Sequence, residues 1–256
     1  CKIYTKIFLV GYQDNKTTKQ RVPMKFAIIK ELKNPPDRRV VFSPSKLTEA
    51  KKQFPEAIFK VESSNIRVFS DEQYKAAGFE VTNDVSDCDV LIGVKEVPVE
   101  NLLPNKKYFF FSHTIKKQPY NRKLLKTILE KNIELFDHET IVNSKGFRLI
   151  GFGRYAGIVG TYNGFRAWGL KYDLWNLPKA ETLSDQKSLI AHLNQISLPN
   201  IKILLSGRGK VAQGSQEMLD EMSIQSVSVE DYLNKTFNEP VYCKIDVLDY
   251  NKRKDG

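Results

Sequence analysis

Short apolar runs alternate with amphipathic segments from residue 24 onward. The runs that predict strands lie at 24–30, 58–62, 90–94, 108–111, 133–136 and 147–152. Helices are predicted at 45–54, at 71–77 and after Asn121, which we expect to cap a helix whose apolar face contains Leu124, Leu125, Ile128 and Leu129. Short strands that are apolar on both faces are typical of a parallel sheet covered by helices. The pattern therefore predicts an α/β domain with a largely parallel sheet over 24–150.

Glycines recur every three or four residues in the segment that follows. Gly153, Gly157, Gly160 and Gly164 would share one face of a helix over 153–170, where glycine lets another element approach closely. An irregular glycine-rich loop is the alternative, because glycine is a poor helix former. A polar stretch punctuated by proline, with a short helix at 189–193, comes next. We therefore expect an interdomain helix and linker over 151–198.

The apolar run 201–205 leads into a loop that fits the pattern G-x-G-x-x-A. In such loops the first glycine makes a tight turn, the second lets the backbone approach a pyrophosphate, and the small third residue lets the following helix pack on the strand. A helix at 216–222 and strands at 225–229 and 240–247 continue the pattern. We predict that this loop binds NAD or NADP. The residues expected to bind the cofactor are Gly207, Gly209, Lys210, Val211 and Glu230.

The choice between the two cofactors stays open. Glu230 or Asp231 stands where an acid would bind the ribose 2′-hydroxyl of NAD. Ser228 and Lys235, which are close in sequence, would equally suit the 2′-phosphate of NADP.

The two ends of the chain give further expectations. The sequence stops before the additional strands that close a cofactor cleft, so 199–256 is expected to be only the first part of a doubly wound dinucleotide-binding domain. Met24 opens the first predicted strand, and residues 1–23 are expected to be a non-native or flexible extension.

The net charge is positive but concentrated near the ends. Lys and Arg number 40 against 30 Asp and Glu, a formal charge of +10, and much of the excess lies in 1–23 and 251–256. The body between carries no basic stripe interleaved with aromatic residues, so we expect no nucleic-acid partner. No apolar stretch approaches the roughly 20 residues of a membrane span, so we expect no membrane partner either.

The three cysteines, Cys1, Cys88 and Cys243, are scattered along the chain. They form neither a disulfide framework nor a zinc-ligand spacing. We therefore expect no metal site and a cytoplasmic location.

Candidate catalytic groups follow two of the predicted strands. Lys95 and Glu96 come after the run 90–94, and His113 comes after 108–111. The carboxyl ends of strands line the ligand crevice of an open α/β sheet, where lysine and histidine can transfer protons. A solvated lysine and a hydrogen-bonded core histidine are the alternatives.

Two further pairs of polar residues have side chains suited to binding. Arg39, next to Arg38, could hold a carboxylate bidentately, although a surface arginine pair is the simpler interpretation. His138 and Glu139 lack the second histidine of a helical zinc motif, so they predict no metal site.

Several segments together resemble the superfamily of alanine dehydrogenase, pyridine nucleotide transhydrogenase and lysine-forming saccharopine dehydrogenase. The segments are 30–44 (KELKNPPDRRVVFSP), 93–96 (GVKE), 109–118 (FFFSHTIKKQ), 151–157 (GFGRYAG) and 205–214 (LSGRGKVAQG). The third and fourth are most similar to the saccharopine branch, and within it to lysine–ketoglutarate reductases. The likeness runs from Met24 to the end of the chain.

The resemblance implies an N-terminal Rossmann-like substrate domain in an NAD(P)-dependent oxidoreductase. The implied reaction is reductive condensation of lysine with 2-oxoglutarate, or oxidation of saccharopine in reverse. Lys95 and His113 match the acid–base pair of the family, and Arg39 matches its carboxylate-binding arginine. The cofactor would carry the hydride.

Weaker assignments complete what the resemblance implies. Glu96 would tune the charge of Lys95, and Gln118 and Arg148 would contact substrate. Chains of the family continue past Gly256, so we expect weak or no turnover from these residues alone. An enzyme of the alanine dehydrogenase type and a non-catalytic truncated remnant are the alternatives, and the oligomeric state stays open.

Overall fold

The chain folds into two units that divide between Gly151 and Phe152 in a computed structural model. The structure describes residues 22–252 and 254, so nearly all of the predicted extension 1–23 lies outside the described residues. Each unit has its own parallel sheet and its own apolar core.

A six-stranded sheet forms the first unit. Its strands are β1 (Lys25–Ile28), β2 (Ile58–Glu62), β3 (Glu80–Thr82), β4 (Val90–Lys95), β5 (Lys107–Phe111) and β6 (Glu134–Asp137). Their spatial order is β3-β2-β1-β4-β5-β6, and all neighbours are parallel. β2 and β3 lie on one side of β1, and β4 to β6 lie on the other, so the strand order reverses between β1 and β4. Open α/β sheets bind ligands at such a point. The predicted α/β fold with a parallel sheet is confirmed.

Successive side chains of the central strands enter two different cores. Phe26 and Ile28 pack with Phe109 on one face of the sheet, whereas Ala27 packs with Phe110 on the other. Because both faces are buried, these strands appear in the sequence as continuous apolar runs.

Three helices pack on this sheet: α1 (Pro44–Gln53), α2 (Asp71–Ala76) and α3 (Arg122–Glu130). Ser43 begins α1 by accepting a hydrogen bond from the N–H of Lys46 at 3.3 Å. Ser70 and Gln73 form a capping box at the start of α2. Short 3-10 turns lie at Val99–Asn101, Thr114–Lys116 and Pro119–Asn121.

The apolar face predicted for α3 is only half buried. Leu124 and Ile128 lie in the core, whereas Leu125 is 44% exposed and Leu129 is 72% exposed. Residues 124 and 128 are about one helical turn apart, so a single narrow stripe contacts the sheet and the adjacent positions face outward.

The prediction of a strand at 147–152 is wrong. The N–H of Leu149 donates to the carbonyl of Ile141 at 2.9 Å, and Val142 forms an isolated antiparallel bridge with Arg148. The side chain of Asn143 accepts the N–H of Phe147 at 2.9 Å. This local turn uses backbone groups that a sheet strand would need, and it leaves Phe147 exposed.

The second unit has a three-stranded parallel sheet and five helices in its described part. The strands β7 (Lys202–Ser206), β8 (Gln225–Ser226) and β9 (Val241–Ile245) lie in the order β7-β9-β8. The helices are α4 (Gly153–Tyr172), α5 (Gln186–Leu193), α6 (Lys210–Glu221), α7 (Val229–Asn234) and α8 (Val247–Tyr250), with a 3-10 turn at Ala180–Thr182.

The segment 151–198 is built into this second unit. Ile158 of α4 and Leu189 of α5 share a core with Met218 of α6 and Tyr242 of β9. The helix and linker predicted between two domains therefore contribute much of the core of the second unit.

Two boundaries in the second unit differ from the sequence prediction. The strand predicted at 225–229 ends at Ser226, because Ser228 accepts the N–H of Asp231 at 3.0 Å and so begins α7 at Val229. The helix predicted at 216–222 begins earlier, at Lys210, directly after the glycine loop.

Glycine lets α4 and α6 pack backbone to backbone. A Cβ atom on Gly157 would lie 2.0 Å from the carbonyl oxygen of Val211, and one on Gly214 would lie 2.0 Å from that of Arg154. A Cβ on Gly160 would meet nothing within 4 Å. The helix predicted at 153–170 is thus present, and close approach accounts for only part of its glycine pattern.

Candidate active site

Lys95 and His113 lie at the carboxyl ends of neighbouring strands. Lys95 is the last residue of β4 and pairs in register with Phe111, the last residue of β5. His113 follows Phe111 by two residues, and its ring stacks on the Phe111 ring at 6.2 Å between centroids. The structure therefore brings the two predicted catalytic residues to one edge of the sheet.

The side chain of Lys95 is half-buried and available for chemistry. Among the described residues its ammonium makes no hydrogen bond or ion pair. Asp37 lies near enough to be affected by this charge. A hydrogen bond from Arg39 holds the pKa of Asp37 below its usual range, and the charge of Lys95 lowers it further.

His113 is held by contacts on both its backbone and its ring. Its φ of 57° lies in the left-handed region. Its carbonyl oxygen accepts a hydrogen bond from Nδ2 of Asn121 at 3.1 Å. Asn121 stands at the N-cap position of α3, as predicted, but its buried side chain points to His113 and makes no cap hydrogen bond. The Nδ1 atom of His113 lies 3.0 Å from Oε2 of Glu139.

That contact fixes the tautomer of His113. A carboxylate only accepts hydrogen bonds, so Nδ1 carries a proton, and in the neutral ring the lone pair then lies on Nε2. Within the described residues Nε2 has no hydrogen-bond partner. The neutral ring therefore has a free acceptor at Nε2, and the Glu139 carboxylate lies where it would stabilise a positive charge on the ring.

Glu139 is surrounded by positive groups. Lys116 Nζ and Arg148 NH1 lie 3.5 Å and 3.3 Å from its Oε1. Burial alone would raise the pKa of Glu139, but the His113 hydrogen bond and the charges of Lys116 and Arg148 together hold it below the ordinary value. Arg148, predicted to contact substrate, thus lies beside the histidine.

A second layer of hydrogen bonds supports these strand ends. Ser112, fully buried, donates its hydroxyl proton to Asp137 Oδ2 at 2.5 Å. The other oxygen of Asp137 accepts the N–H of Glu139 at 2.8 Å. Asp137 therefore couples the end of β5 to the end of β6 and places Glu139 next to His113.

Arg39 is engaged by a neighbouring carboxylate. Its Nε lies 2.9 Å from Asp37 Oδ1, and its NH2 lies 2.5 Å from Asp37 Oδ2. This pairing raises the pKa of Arg39 above its already high value. A substrate carboxylate would therefore share the guanidinium with Asp37.

The remaining predicted contacts are less central. Glu96 pairs with Lys33, with 2.7 Å between Oε1 and Nζ, and its Oε2 is buried without a hydrogen-bond partner in the described part of the chain. Gln118 is exposed and precedes the 3-10 turn at Pro119–Asn121.

The glycine loop of the second unit lies between β7 and α6. Gly207 has a φ of 101°, a conformation that favours glycine, and its N–H donates to Ile245 at 2.8 Å. Gly209 is the N-cap of α6 and supplies no side-chain cap. Lys210 and Val211 form the first turn of α6.

The loop fits the phosphates of a dinucleotide. A Cβ on Gly209 would meet nothing within 4 Å, so the backbone there faces open space. The first N–H groups of the 12-residue helix α6 begin at this point, and a helix N-terminus favours an anion. Glu230 lies in the first turn of α7, which follows β8, and β9 separates β8 from β7 in the sheet.

Sequence reasoning missed two carboxylates of the first unit. Glu139 had been considered only as a metal ligand, although its place after β6 is where a strand-end acid belongs. Glu31, which is 6% exposed, accepts the N–H groups of Val94 and Lys95. Its charge and its place just after the first strand were the available signals.

The parallel sheet, its polar strand ends and the glycine loop define an open α/β protein of the Rossmann type. The sequence matches the model of the alanine dehydrogenase/PNT N-terminal domain over residues 27–159, more than half of the chain. The chain belongs to the alanine dehydrogenase/PNT family, and the predicted resemblance is confirmed.

Curated relatives carry names from the saccharopine branch. The chain is 30% identical over 185 residues to the alpha-aminoadipic semialdehyde synthase, mitochondrial, of Bos taurus, covering 65% of this chain and 20% of that one. It is 25% identical over 195 residues to a saccharopine dehydrogenase (NAD(+), L-lysine-forming) of Neurospora crassa, covering 68% and 51%. The chain thus spans about a fifth and about half of the length of these relatives.

Solved structures share the fold. An L-alanine dehydrogenase superposes with a TM-score of 0.56 at 15% identity, over 88% of this chain and 62% of that one. A transhydrogenase from Sinorhizobium meliloti gives 0.56 at 13% identity, over 88% and 63%.

No helix in the described part of the chain is both long and apolar enough to cross a membrane. No three His, Cys, Asp or Glu side chains of residues 22–252 and 254 come together in a group that could hold a metal ion.

Proposed function

We propose that the chain is part of an NAD(P)-dependent amino-acid dehydrogenase of the lysine-forming saccharopine type. The reaction is reductive condensation of the lysine ε-amine with 2-oxoglutarate, or its reverse. One observation carries the proposal: Glu139 holds His113 as a proton acceptor at the strand end next to Lys95. An ammonium that attacks a ketone must first lose a proton to a base. A second proton moves from its nitrogen to the former ketone oxygen as the carbinolamine forms, and the hydroxyl must then gain another from an acid to leave as water.

His113 and Lys95 divide these proton transfers between them. His113 accepts the proton of the attacking ammonium at Nε2, since Glu139 keeps the proton of Nδ1 in place. Lys95, as an ammonium without a partner among the described residues, donates a proton to the carbinolamine hydroxyl, which leaves as water. The resulting imine carbon is the position to be reduced.

Arginine and lysine side chains at this edge of the sheet suit the carboxylates of the substrates. Arg39 offers a planar guanidinium, and Arg148 and Lys116 lie next to Glu139. Gln118, exposed in the loop after His113, is a further candidate contact.

The glycine loop is the proposed cofactor site. Gly207, Gly209, Lys210 and Val211 would hold the pyrophosphate of NAD or NADP at the start of α6, and Glu230 is a candidate for the ribose. When bound, the cofactor supplies or accepts the hydride.

Several assignments of the proposal rest on the relatives rather than on the geometry. Names from the saccharopine branch favour lysine and 2-oxoglutarate over smaller substrates.

The cytoplasm remains the proposed compartment, because the buried Cys88 and Cys243 are free thiols.

The test is oxidation of NADH and of NADPH by the longest form of the protein that its gene encodes. Lysine with 2-oxoglutarate should support oxidation only when both are present. Pyruvate with ammonia is the comparison, and turnover with that pair alone would assign the protein to the alanine dehydrogenase type.

A further inference from the structure

The strand that carries Lys95 contains one more residue than its neighbour. Ile92 of β4 pairs with Phe109 of β5, and Lys95 pairs with Phe111. Between these two pairs the chain advances three residues along β4 but only two along β5. The extra residue makes a β-bulge at Gly93–Val94, which interrupts the alternation of side chains between the two faces.

The bulge determines the face on which Lys95 lies. In register with Phe111, Lys95 shares the sheet face of Ile92, whereas strict alternation from Ile92 would put it on the opposite face. The rings of His113 and His138 contact Phe111, with centroids 6.2 Å and 5.2 Å away. The bulge therefore turns Lys95 toward the face where these histidines lie.

Glu31 accepts the hydrogen bonds of two backbone N–H groups in the bulge. Its carboxylate accepts the N–H of Val94 at 2.6 Å and the N–H of Lys95 at 2.9 Å. The bulge removes these groups from the regular ladder, and an unpaired buried N–H is costly. Glu31 is buried in the segment that follows β1, the strand next to β4, so its carboxylate links this segment to β4 at the base of Lys95.

His138 satisfies the acceptor of the bulge. Its Nε2 lies 3.0 Å from the carbonyl oxygen of Gly93, and because a carbonyl only accepts, the proton lies on Nε2. The ring is 2% exposed, and its buried Nδ1 has no hydrogen-bond partner in the part of the chain that the structure describes. Burial lowers the pKa of His138, so the ring is neutral and serves as a donor.

The bulge is also tightly packed. A Cβ on Gly93 would lie 3.0 Å from the side chain of Ile29 and 3.4 Å from Oε1 of Glu31. Glycine at this position lets the carboxylate reach both N–H groups.

We propose that Glu31 and His138 are positioning residues that hold the β4 bulge and thereby aim the Lys95 ammonium at the substrate. Neither touches substrate. The inference rests on the proposed function for the role of Lys95, but the bulge and its two side chains can be tested without turnover.

The first test measures hydrogen–deuterium exchange of the Val94 and Lys95 amides in Glu31→Gln. The glutamine side chain keeps one oxygen that can accept a hydrogen bond. Its NH2 group is a donor and cannot accept the N–H of the other residue, Val94 or Lys95. A hydrogen bond to a charged group contributes roughly 1.5–3 kcal/mol, so exchange of at least one of these amides should rise about tenfold or more. Glu62→Gln is the matched control, because Glu62 ends β2 and accepts the N–H of Lys30 at 3.0 Å.

The second test measures the rate at which Lys95 is acetylated, by peptide mass spectrometry. The rate should change severalfold in Glu31→Gln and in His138→Phe, and it should return toward that of the wild type in His138→Gln, whose amide can reach the place of Nε2. In the active full-length enzyme the same variants should lower kcat more than they raise KM, since they leave the substrate contacts in place.

Unchanged exchange and unchanged acetylation in folded Glu31→Gln and His138→Phe would overturn the proposal, as would equal changes in Glu62→Gln. If Glu31→Gln does not fold, equal acetylation in His138→Phe and His138→Gln overturns it. A protein that never turns over lysine would instead refute the proposed function, and the exchange and acetylation results would still decide the role of the bulge.

Discussion

His113 and Glu139 lie at the ends of adjacent strands, with 3.0 Å between Nδ1 of the imidazole and Oε2 of the carboxylate. The two residues are 26 positions apart in sequence, and the parallel pairing of β5 with β6 brings them together. The carboxylate orients the ring, and in the proposed reaction it compensates the charge that the ring acquires as a base.

The first prediction concerns the variant Glu139→Gln. Loss of a charge-assisted hydrogen bond, worth roughly 1.5–3 kcal/mol, should lower kcat about tenfold or more. The carboxylate also sets the low-pH behaviour of the wild type. Because the pKa of Glu139 lies below its ordinary value, the pairing is present above the ordinary pKa and is lost only as the pH falls through the lowered one.

A pH series of kcat in both proteins checks this prediction. Glu134→Gln is the control, since Glu134 lies at the opposite end of the same strand and is exposed. Equal kcat in Glu139→Gln and the wild type would show that the pair does not assist the reaction.

The second prediction concerns recognition of a substrate carboxylate by Arg39. Lysine in its place keeps the charge but loses the planar fork, so Arg39→Lys should raise KM for 2-oxoglutarate about tenfold. Steady-state kinetics with 2-oxoglutarate varied give this value. The adjacent Arg38 is exposed, and Arg38→Lys should leave KM unchanged. An equal effect of the two variants would argue against a direct contact by Arg39.

The third prediction separates the two glycines of the loop. Gly207→Ala should destabilise the second unit by roughly 1–2 kcal/mol, because a residue with a φ of 101° is strained when it carries a Cβ. Gly209→Ala should leave the melting temperature unchanged, since the added methyl enters open space and its φ is −77°. It should nevertheless abolish binding of NADH and NADPH, because that space would hold the pyrophosphate.

Thermal denaturation and calorimetric titration with each nucleotide measure the two effects separately. Undiminished nucleotide binding by Gly209→Ala would place the cofactor elsewhere.

The fourth prediction compares two glycines of α4. Gly157→Ala should destabilise the second unit by about 1–3 kcal/mol, because the new methyl would overlap the carbonyl of Val211. Gly160→Ala should stabilise it by about 0.5–1 kcal/mol, since the space there is open and alanine favours a helix. Urea denaturation of both variants provides the comparison. Similar stabilities would mean that α4 and α6 do not pack as described.

Much of the first unit could be predicted from its sequence because the rule that governs it is local. Strands buried on both faces must be apolar throughout, and the polar residues just after them, Lys95 and His113, must then lie at the carboxyl edge. The same local rule predicts a strand at 147–152, where the structure has none. The apolar residues of this segment suit a strand, but the side chain of Asn143 forms a turn there.

The features that could not be predicted depend on contacts between distant segments. The partner of His113 follows from which strands are neighbours, and the role of Asn121 follows from a loop that folds back on the helix. The bulge in β4 depends on Glu31 and His138, whose side chains meet it from two other strand ends. The sequence shows that Glu31 and Glu139 follow predicted strands, but it does not show which groups their carboxylates contact.

In the proposed reaction Lys95 transfers protons during a reductive condensation. The most direct test is the rate of NADH or NADPH oxidation by Lys95→Met in the longest form of the protein, with lysine and 2-oxoglutarate both saturating. Lys107→Met is the control, because Lys107 begins β5 at the opposite edge of the sheet. We predict a loss of about 10²- to 10⁴-fold in kcat for Lys95→Met and none for the control. Wild-type turnover in Lys95→Met would contradict the account.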